Sequence, residues 1–316
     1  MGRTVSVVIP ARDEAPHIRA CVRSVLAQEG VGVVELIVVD GRSSDDTAVI
    51  ARDAGATVVT NPDGTIPVAM NRGVAAAAGD VIARFDAHAE MPPGYLGACL
   101  AALDEEPGAV NVGGWRRAEG AGPWGRAVAA ALASPLGVGN ARIWRPPPPG
   151  STRVDTETVP LGCFPRGALD DVGGWREDLL ANEDFELNHR LRAAGGRVVF
   201  DPAIWSVYHP RESLGAIAAQ YWRYGRWKAV MAAGSPESLL PRQLAPPALV
   251  AVAAAAVLPS PLRRAARLAL AAYGVTLLGA AGTSGGGWRV APVLATMHLA
   301  WGASFAVHAP RGTRRR

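Results

Sequence analysis

The 316-residue sequence contains only three cysteines, Cys21, Cys99 and Cys163, far apart and without a CxxC pair. That excludes a disulfide framework and a zinc spacing, and points to buried free thiols in a reducing compartment. A Walker A stretch is missing, and the GxGxxG spacing occurs only as GAGPWG (120–125), away from the first strand–helix turn, so simple ATPase and Rossmann dehydrogenase chemistries lose their main support. No signal-peptide pattern precedes the first apolar run, where Arg3 leads straight into TVSVVIP, so the front of the chain is expected to stay in the cytoplasm. Acids disappear altogether after Leu244. Residues 244–316 hold eight arginines and no Asp or Glu, whereas residues 1–243 hold 24 basic and 28 acidic residues. The net charge of +4 therefore hides an acidic front and a basic, apolar back. Charged residues make up 19% and hydrophobic residues 49%, with a mean hydropathy of +0.12. Such a chain is not disordered, and it is slightly too apolar for a wholly soluble protein.

What is present is an alternation of strand and helix. Residues 4–9 form a short apolar run ended by Pro10, and a helix is expected over about 16–28, with Pro16 in its first turn. ELIVVD (35–40) is a second strand, 45–55 a helix stopped by Gly55, and ATVVT (56–60) a third strand. A helix over about 67–78 precedes DVIARFD (80–86). This order predicts an α/β fold, a mostly parallel sheet with helices on both faces. Ligands then bind beyond the carboxyl ends of the strands, where Asp40 and Asp86 fall. Past residue 90 the pattern loosens. Residues 141–157, with Pro146–Pro149, read as a long irregular loop of the kind that forms lids or binding loops. A helix at about 182–194, a strand near 197–201 and a helix at about 213–232 follow.

Several residues could do chemistry. Asp86 and His88, at i and i+2 in an extended chain, would point to one side and could share a divalent cation, with the imidazole favouring manganese over magnesium. The plain alternative is a strand-end Asp capping a turn beside a surface His. In NEDFE (182–186), Asn182 could simply cap a helix, with Glu183 and Asp184 at the positive end of its dipole. Equally, one carboxylate could take a proton from an acceptor hydroxyl, its neighbour raising its proton affinity. Gln220, Arg223 and Trp227 share one helical stripe that suits a phosphate or sugar, or else an interfacial helix with Tyr221, Trp222 and Tyr224 at headgroup level. His209 and Arg211 are possible diphosphate contacts, although His209 also suits a turn before Pro210.

VSVVIPARDE (5–14), VVDGRSSDDT (38–47), AMNRGVAAAAGDVIARFDAHAE (69–90), NEDFELNHRLRAAGG (182–196) and YHPRESL with QYWRYGRWK (208–228) occur in this order. Together they resemble family 2 inverting glycosyltransferases of the GT-A fold, most closely the succinoglycan-biosynthesis ExoA-like branch, over residues 4 to about 230. The resemblance implies a nucleotide-sugar site formed by Pro10, Arg12, Glu14, Asp40, Ser43, Asn71, Arg84 and Asp86. Asp40 would bind the base, favouring uridine. Asp86 would hold Mn2+ or Mg2+ on the diphosphate, with His88 in the last place of the usual Asp-x-Asp motif and His209 as a further ligand. Asp184, beside Glu183, would be the general base. Gln220, Arg223 and Trp227, with Arg211, would face acceptor or diphosphate. Tyr224 stands where processive relatives carry the Trp of a Gln-x-x-Arg-Trp motif, which weakens any inference of processive synthesis.

The implied function is transfer of a sugar from a nucleotide-diphosphate donor, with UDP favoured, to a lipid-linked or polysaccharide acceptor, with inversion and with metal assistance. The rivals are a sugar nucleotidyltransferase, which ARDEAPH (11–17) matches poorly, and an inactive membrane scaffold. A catalytic domain over 1–235 and a membrane region over 236–316 are expected. Within the latter, 244–262 is too broken by proline to cross a bilayer, while about 268–288 and 290–310 are long enough. A two-span hairpin keeps Arg263, Arg264, Arg267 and Arg314–Arg316 on the cytoplasmic side with the catalytic domain. His298 and His308 read as packed or interfacial rather than as ligands. No nucleic-acid partner is expected, because the basic residues flank apolar spans.

Overall fold

The apolar runs at the front of the chain form the first strands of one mixed sheet. In the computed structural model, which describes residues 3–32, 34–138, 141–259 and 261–309, β1 (Val5–Ala11), β2 (Val34–Asp40), β3 (Thr57–Thr60) and β4 (Val81–Arg84) run parallel in the order β3-β2-β1-β4. Helices α1 (Ile18–Leu26), α2 (Thr47–Asp53) and α3 (Ile66–Ala76) connect them. β4 is buried throughout, as a strand covered on both faces must be. Successive side chains therefore enter two different cores. Val7 and Ile9 pack with Ile18, Val22, Val25 and Phe85, while Val8 packs with Val39, Met70, Ile82 and Trp175.

After β4 the sheet turns antiparallel. It is completed by β5 (Ala89–Glu90), α4 (Tyr95–Glu105), β6 (Ala109–Ala118), β7 (Val154–Asp155), β8 (Cys163–Pro165), α6 (Arg166–Val172), α7 (Glu183–Ala193) and β9 (Arg197–Tyr208), with α5 (Gly122–Ala133) between β6 and β7. The full order is β3-β2-β1-β4-β8-β6-β9-β5, with β7 on β9. β8 is antiparallel to β4 and β6, and β5 and β7 are antiparallel to β9. All three cysteines are buried and free.

Pro10, expected to end the first strand, does not, and the last strand outruns its expected end. β1 continues through Pro10, where its pairing with β4 has already stopped at Val8 and a missing N–H breaks less of the ladder. β9, expected to finish at Asp201, continues past Pro202 to Tyr208. Asp201 Oδ1 accepts the Ala203 N–H (2.7 Å) across the proline. Gly114 on β6 lies against the carbonyls of Asp201 and Ile204, where no side chain would fit. The long loop is tied down by Arg153, whose guanidinium reaches Asp201 (2.6 Å) and Glu105 (2.7 Å).

The chain divides into two compact units, residues 1–117 with 145–208, and residues 118–144 with 209–316. The expected boundary at 235 falls inside the second unit, which gathers α5, α8 (Leu214–Gly234), α9 (Ala245–Val257), α10 (Arg263–Thr283) and α11 (Val290–His308). α11 is its packing centre. Val293, Leu294 and Met297 are fully buried, Gly225 of α8 lies against the Trp301 carbonyl and Ser304, and Gly302 lies against Pro246. α9 begins with Pro246 and Pro247 in its first turn and is too short to cross a bilayer. α10 and α11, with mean hydropathies of 1.4 and 1.5, are long and apolar enough to do so. The first apolar span thus begins at Arg263 and ends at Thr283, earlier than expected, because Gly285 and Gly287 turn the chain with φ of +69° each. His298 is packed rather than ligating. Its Nε2 meets the Leu136 carbonyl (2.6 Å) and its Nδ1 the Tyr273 hydroxyl (2.8 Å). His308 Nδ1 meets the Ser304 carbonyl (2.7 Å).

Gly73 lets α3 approach the sheet, since a β-carbon there would fall on Val8 Cγ1. Alanine favours a helix over glycine by about 0.5–1 kcal/mol, but forced overpacking costs about 1–3 kcal/mol. Gly73→Ala is therefore expected to lower the unfolding midpoint in chemical denaturation, by a net ~1 kcal/mol.

Candidate active site

The parallel strands end together, and the loops that leave them build one polar site in the first unit. Gly41 N–H donates to the Ala11 carbonyl (2.8 Å), drawing the loops after β1 and β2 together. Asp13, in a left-handed conformation (φ 54°), closes that seam: its Oδ1 accepts from Ser44 N–H (2.7 Å), and its own N–H donates to Ser43 Oγ (3.0 Å). At the end of β2, Asp40 is buried. Its Oδ2 receives only a long contact from Ser43 N–H (3.4 Å), and its Oδ1 has no partner. A buried acceptor left open in this way suits an N–H donor from a ligand. Pro10 is half-buried and Arg12 exposed, its guanidinium 3.8 Å from Asp13.

The charged centre lies past β4. Arg84 Nη2 is 3.1 Å from Glu183 Oε1 and 3.5 Å from Asp86 Oδ1, on a side chain only 9% exposed. Arg116, at the end of β6, brings Nη2 to 3.6 Å from Asp86 Oδ2 and lies over the Tyr208 ring. Burial alone would raise the Asp86 pKa, but Arg84 and Arg116 outweigh it and hold the group below its usual value. Glu183 moves the other way: its deeper burial, reinforced by Asp184, raises its pKa despite Arg84. Burial opposes the charge on Arg84, yet the three carboxylates around it keep it protonated. Asp184 is half-buried. Its Oδ1 accepts the Phe185 N–H (2.8 Å), which leaves Oδ2 for another contact.

Asp86 and His88 come together differently from the extended arrangement expected. Ala89 N–H donates to the Asp86 carbonyl (3.0 Å), so the two sit on a turn. His88 Nδ1 is 2.9 Å from Glu14 Oε1, and its ring meets Tyr208 edge-on at 5.3 Å. Among the described residues no group of three or more His, Cys, Asp or Glu is placed to hold a metal. Two protein donors, one an ionised carboxylate, nevertheless fit a cation that completes its shell with substrate phosphate oxygens and water.

Other expected residues take different places. Asn182 occupies the N-cap of α7 with φ of 61° but makes no side-chain cap. Asn71 spends both amide donors on Trp175 O (2.8 Å) and Glu177 (2.9 Å), and its oxygen accepts from Trp175 N–H (2.8 Å), clamping the turn before α7. In the second unit, His209 Nδ1 meets the Glu119 carbonyl (3.2 Å), and Arg211 is exposed. Gln220 donates to Tyr224 Oη (2.9 Å), Arg223 is exposed beside the Tyr224 ring, and Trp227 is half-buried beside Arg226. Arg116 was not singled out from the sequence. Its one local sign is the arginine pair ending the apolar stretch AVNVGGWRR (109–117).

A cleft of about 530 Å³ lined by Arg3, Asp80, Asp104 and Arg166 lies at the opposite, amino ends of β1 and β4. Its charges are already paired there, Arg3 with Asp104 (3.0 Å) and Asp80 with Thr4 (2.8 Å).

Removing Arg84 should expose what it balances. In Arg84→Gln, Asp86 and Glu183 would hold protons more tightly folded than unfolded, which penalises the folded state above the ordinary carboxylate range. Loss of one partner of a buried pair costs about 3–5 kcal/mol. The stability gap to the unsubstituted protein is expected to be widest near about pH 7 and to narrow toward about pH 4, as the carboxylates protonate. Denaturant titrations across that range measure it.

A family model described as Glycosyl transferase family 2 matches residues 6–166, and one described as Glycosyl transferase family 21 matches residues 161–301. The succinoglycan biosynthesis protein ExoA of Rhizobium meliloti (strain 1021) is 32% identical over 95% of this chain and 93% of its own length. An uncharacterized glycosyltransferase of Mycobacterium tuberculosis is 35% identical over 63% of this chain and 83% of its own. Among solved structures, a mannosyltransferase from Pyrobaculum calidifontis in complex with GDP-Man and Mn2+ superposes with a TM-score of 0.67, at 20% identity, over 99% of this chain and 89% of its own. The nucleotidyltransferase alternative falls with these matches. A mixed sheet whose parallel strands end in a carboxylate-rich site, over a sequence that matches along nearly its whole length, places the chain in glycosyltransferase family 2, as a glycosyltransferase of the GT-A fold.

Proposed function

We propose that this chain moves a sugar from a nucleoside-diphosphate donor to a hydroxyl of a lipid-linked or polysaccharide acceptor, inverting the anomeric carbon. The observation that carries the reading is the shared guanidinium of Arg84, which gathers Asp86 and the Glu183–Asp184 pair into one charged centre. Asp184 is the general base. Glu183 is deeply buried and committed to Arg84, whereas Asp184 keeps one carboxylate oxygen for an acceptor proton. Attack on the face opposite the leaving group is a single displacement, so an α-linked donor gives a β-linkage.

The open Oδ1 of Asp40 suits the imide N–H of uracil, which favours a UDP-sugar. Asp86 and His88 would hold Mn2+ or Mg2+. Bound there, the cation would neutralise charge developing on the departing diphosphate. The Mn2+ in the mannosyltransferase of similar fold supports that assignment. Arg84 and Arg116 add fixed positive charge beside the same position without needing to reorganise. Asn71 is left out of the donor contacts, because its amide is already used within the fold.

Membrane association completes the proposal. α10 and α11 anchor the chain, and the arginines at 263, 264, 267 and 314–316 keep the catalytic unit on the cytoplasmic side. The relationship to a succinoglycan biosynthesis protein supports a polysaccharide acceptor.

Asp184→Asn is expected to reduce sugar transfer by about 10²–10⁴-fold, the usual worth of a general base, while UDP binding stays within about twofold. Radiolabel transfer and calorimetry measure the two quantities. Unchanged transfer would remove Asp184 as base, and absence of transfer in the unsubstituted protein with every donor tested would favour an inactive scaffold. Membranes from expressing cells should release the chain only with detergent. Release by high salt alone would overturn the anchor.

A further inference from the structure

Glu14 and His88 form a side-chain pair, and the transfer chemistry above gives Glu14 no part. They come from different loops, after β1 and after β4, yet Oε1 and Nδ1 are 2.9 Å apart. Both partners are held. Glu14 donates its N–H to the buried Thr47 hydroxyl (2.8 Å), and its carbonyl accepts from His17 and Ile18 N–H (2.9 Å each). His88 precedes Ala89, which pairs with Tyr208 in the β5–β9 ladder, and this seats the imidazole against the Tyr208 ring. A carboxylate only accepts, so Nδ1 carries the proton of the pair, and in the neutral ring Nε2 presents its lone pair. That is the tautomer a metal ligand needs, with the carboxylate making the imidazole a better donor.

We infer that Glu14 is a positioning residue that aims His88 Nε2 at the divalent cation and restores the negative charge that an aspartate at position 88 would supply. The inference rests on the metal reading of Asp86 and His88. Through the pair, the half-site formed by Asp86, His88 and Glu14 carries two carboxylates and one neutral ring, the same formal charge as two aspartates. It replaces one hard oxygen donor by a nitrogen, which shifts preference toward Mn2+ over Mg2+.

The test uses the full chain in detergent, with Mn2+ binding measured by the loss of the free-ion paramagnetic resonance signal, in the absence and presence of UDP. Glu14→Ala is expected to weaken Mn2+ binding by about 10–100-fold, the usual effect of removing a ligand's hydrogen-bond partner. Glu14→Gln, which can still accept from Nδ1–H, should fall between. Pulsed measurements should show nitrogen coupling from His88 to bound Mn2+, lost in His88→Asp and weakened in Glu14→Ala. In the His88→Asp background, Glu14→Ala should leave Mn2+ affinity unchanged or tighten it, because no imidazole remains to orient and two neighbouring carboxylates repel.

An equal loss in both backgrounds, or no loss in either, would overturn the positioning role while leaving the metal site intact. If the unsubstituted protein and Asp86→Asn bind Mn2+ equally weakly, the metal reading itself fails and takes this inference with it. Thermal melts of each variant separate a local effect from unfolding: a variant whose Mn2+ affinity drops only in step with its loss of folded fraction counts against the inference.

Discussion

A single arginine sets the terms for this site. Arg84 ends a strand that is buried on both faces, so its guanidinium emerges into a place where water cannot solvate it, and only carboxylates can make that tolerable. Glu183 and Asp86 approach it from different elements, and Asp184 adds its field. Buried ion pairs of this kind contribute little net stability compared with an apolar core. What they contribute is placement, because each charge loses its partner if either element shifts. The two poles proposed for catalysis, past β4 and at the start of α7, are therefore held in register by their shared charge.

The same centre separates two adjacent carboxylates into different states. Glu183 is pushed toward holding its proton by burial, while Asp86 is pulled toward ionisation by two guanidinium groups. Asp184, one residue from Glu183 but more exposed, keeps an open oxygen. Groups of one chemical type thus acquire different roles through depth and neighbours. Arg116 takes part in this division, and its own place depends on the Tyr208 ring at the far end of a strand that runs unbroken past Pro202.

The second unit is organised by a different constraint. Alanine-rich helices bury little area per residue, so they must approach closely to pack at all. Glycines on α8 and α11 make that approach possible at Trp301, Ser304 and Pro246. α10 keeps large apolar side chains outward, with Leu268, Val275 and Leu278 all exposed. An exposed apolar surface of this kind beside Arg263, Arg264 and Arg267 is the feature that the proposed bilayer anchor would cover.

Much of the front of the chain was legible because local signals there agree with the tertiary outcome. β-branched runs separated by helix-length segments, closed by Gly55 and by acids at strand ends, determine a parallel sheet and the end at which its ligands bind. Asp40 and Asp86 could be named for that reason, whereas Asp184, in the first turn of a helix, stood out through the NEDFE stretch and its resemblance to the family. Past residue 90 the local signals weaken, since β6, β8 and the extension of β9 depend on partners distant in sequence, and Pro202, just past the expected end of β9, is bridged by Asp201 beside Gly114. The pairing of Glu14 with His88, the guanidinium of Arg116 over Asp86 and the diversion of Asn71 into a structural clamp were decided only by folding. Each depends on two loops meeting in space, and a hydrogen bond or a charge falls off over a few ångströms whatever the spacing along the chain.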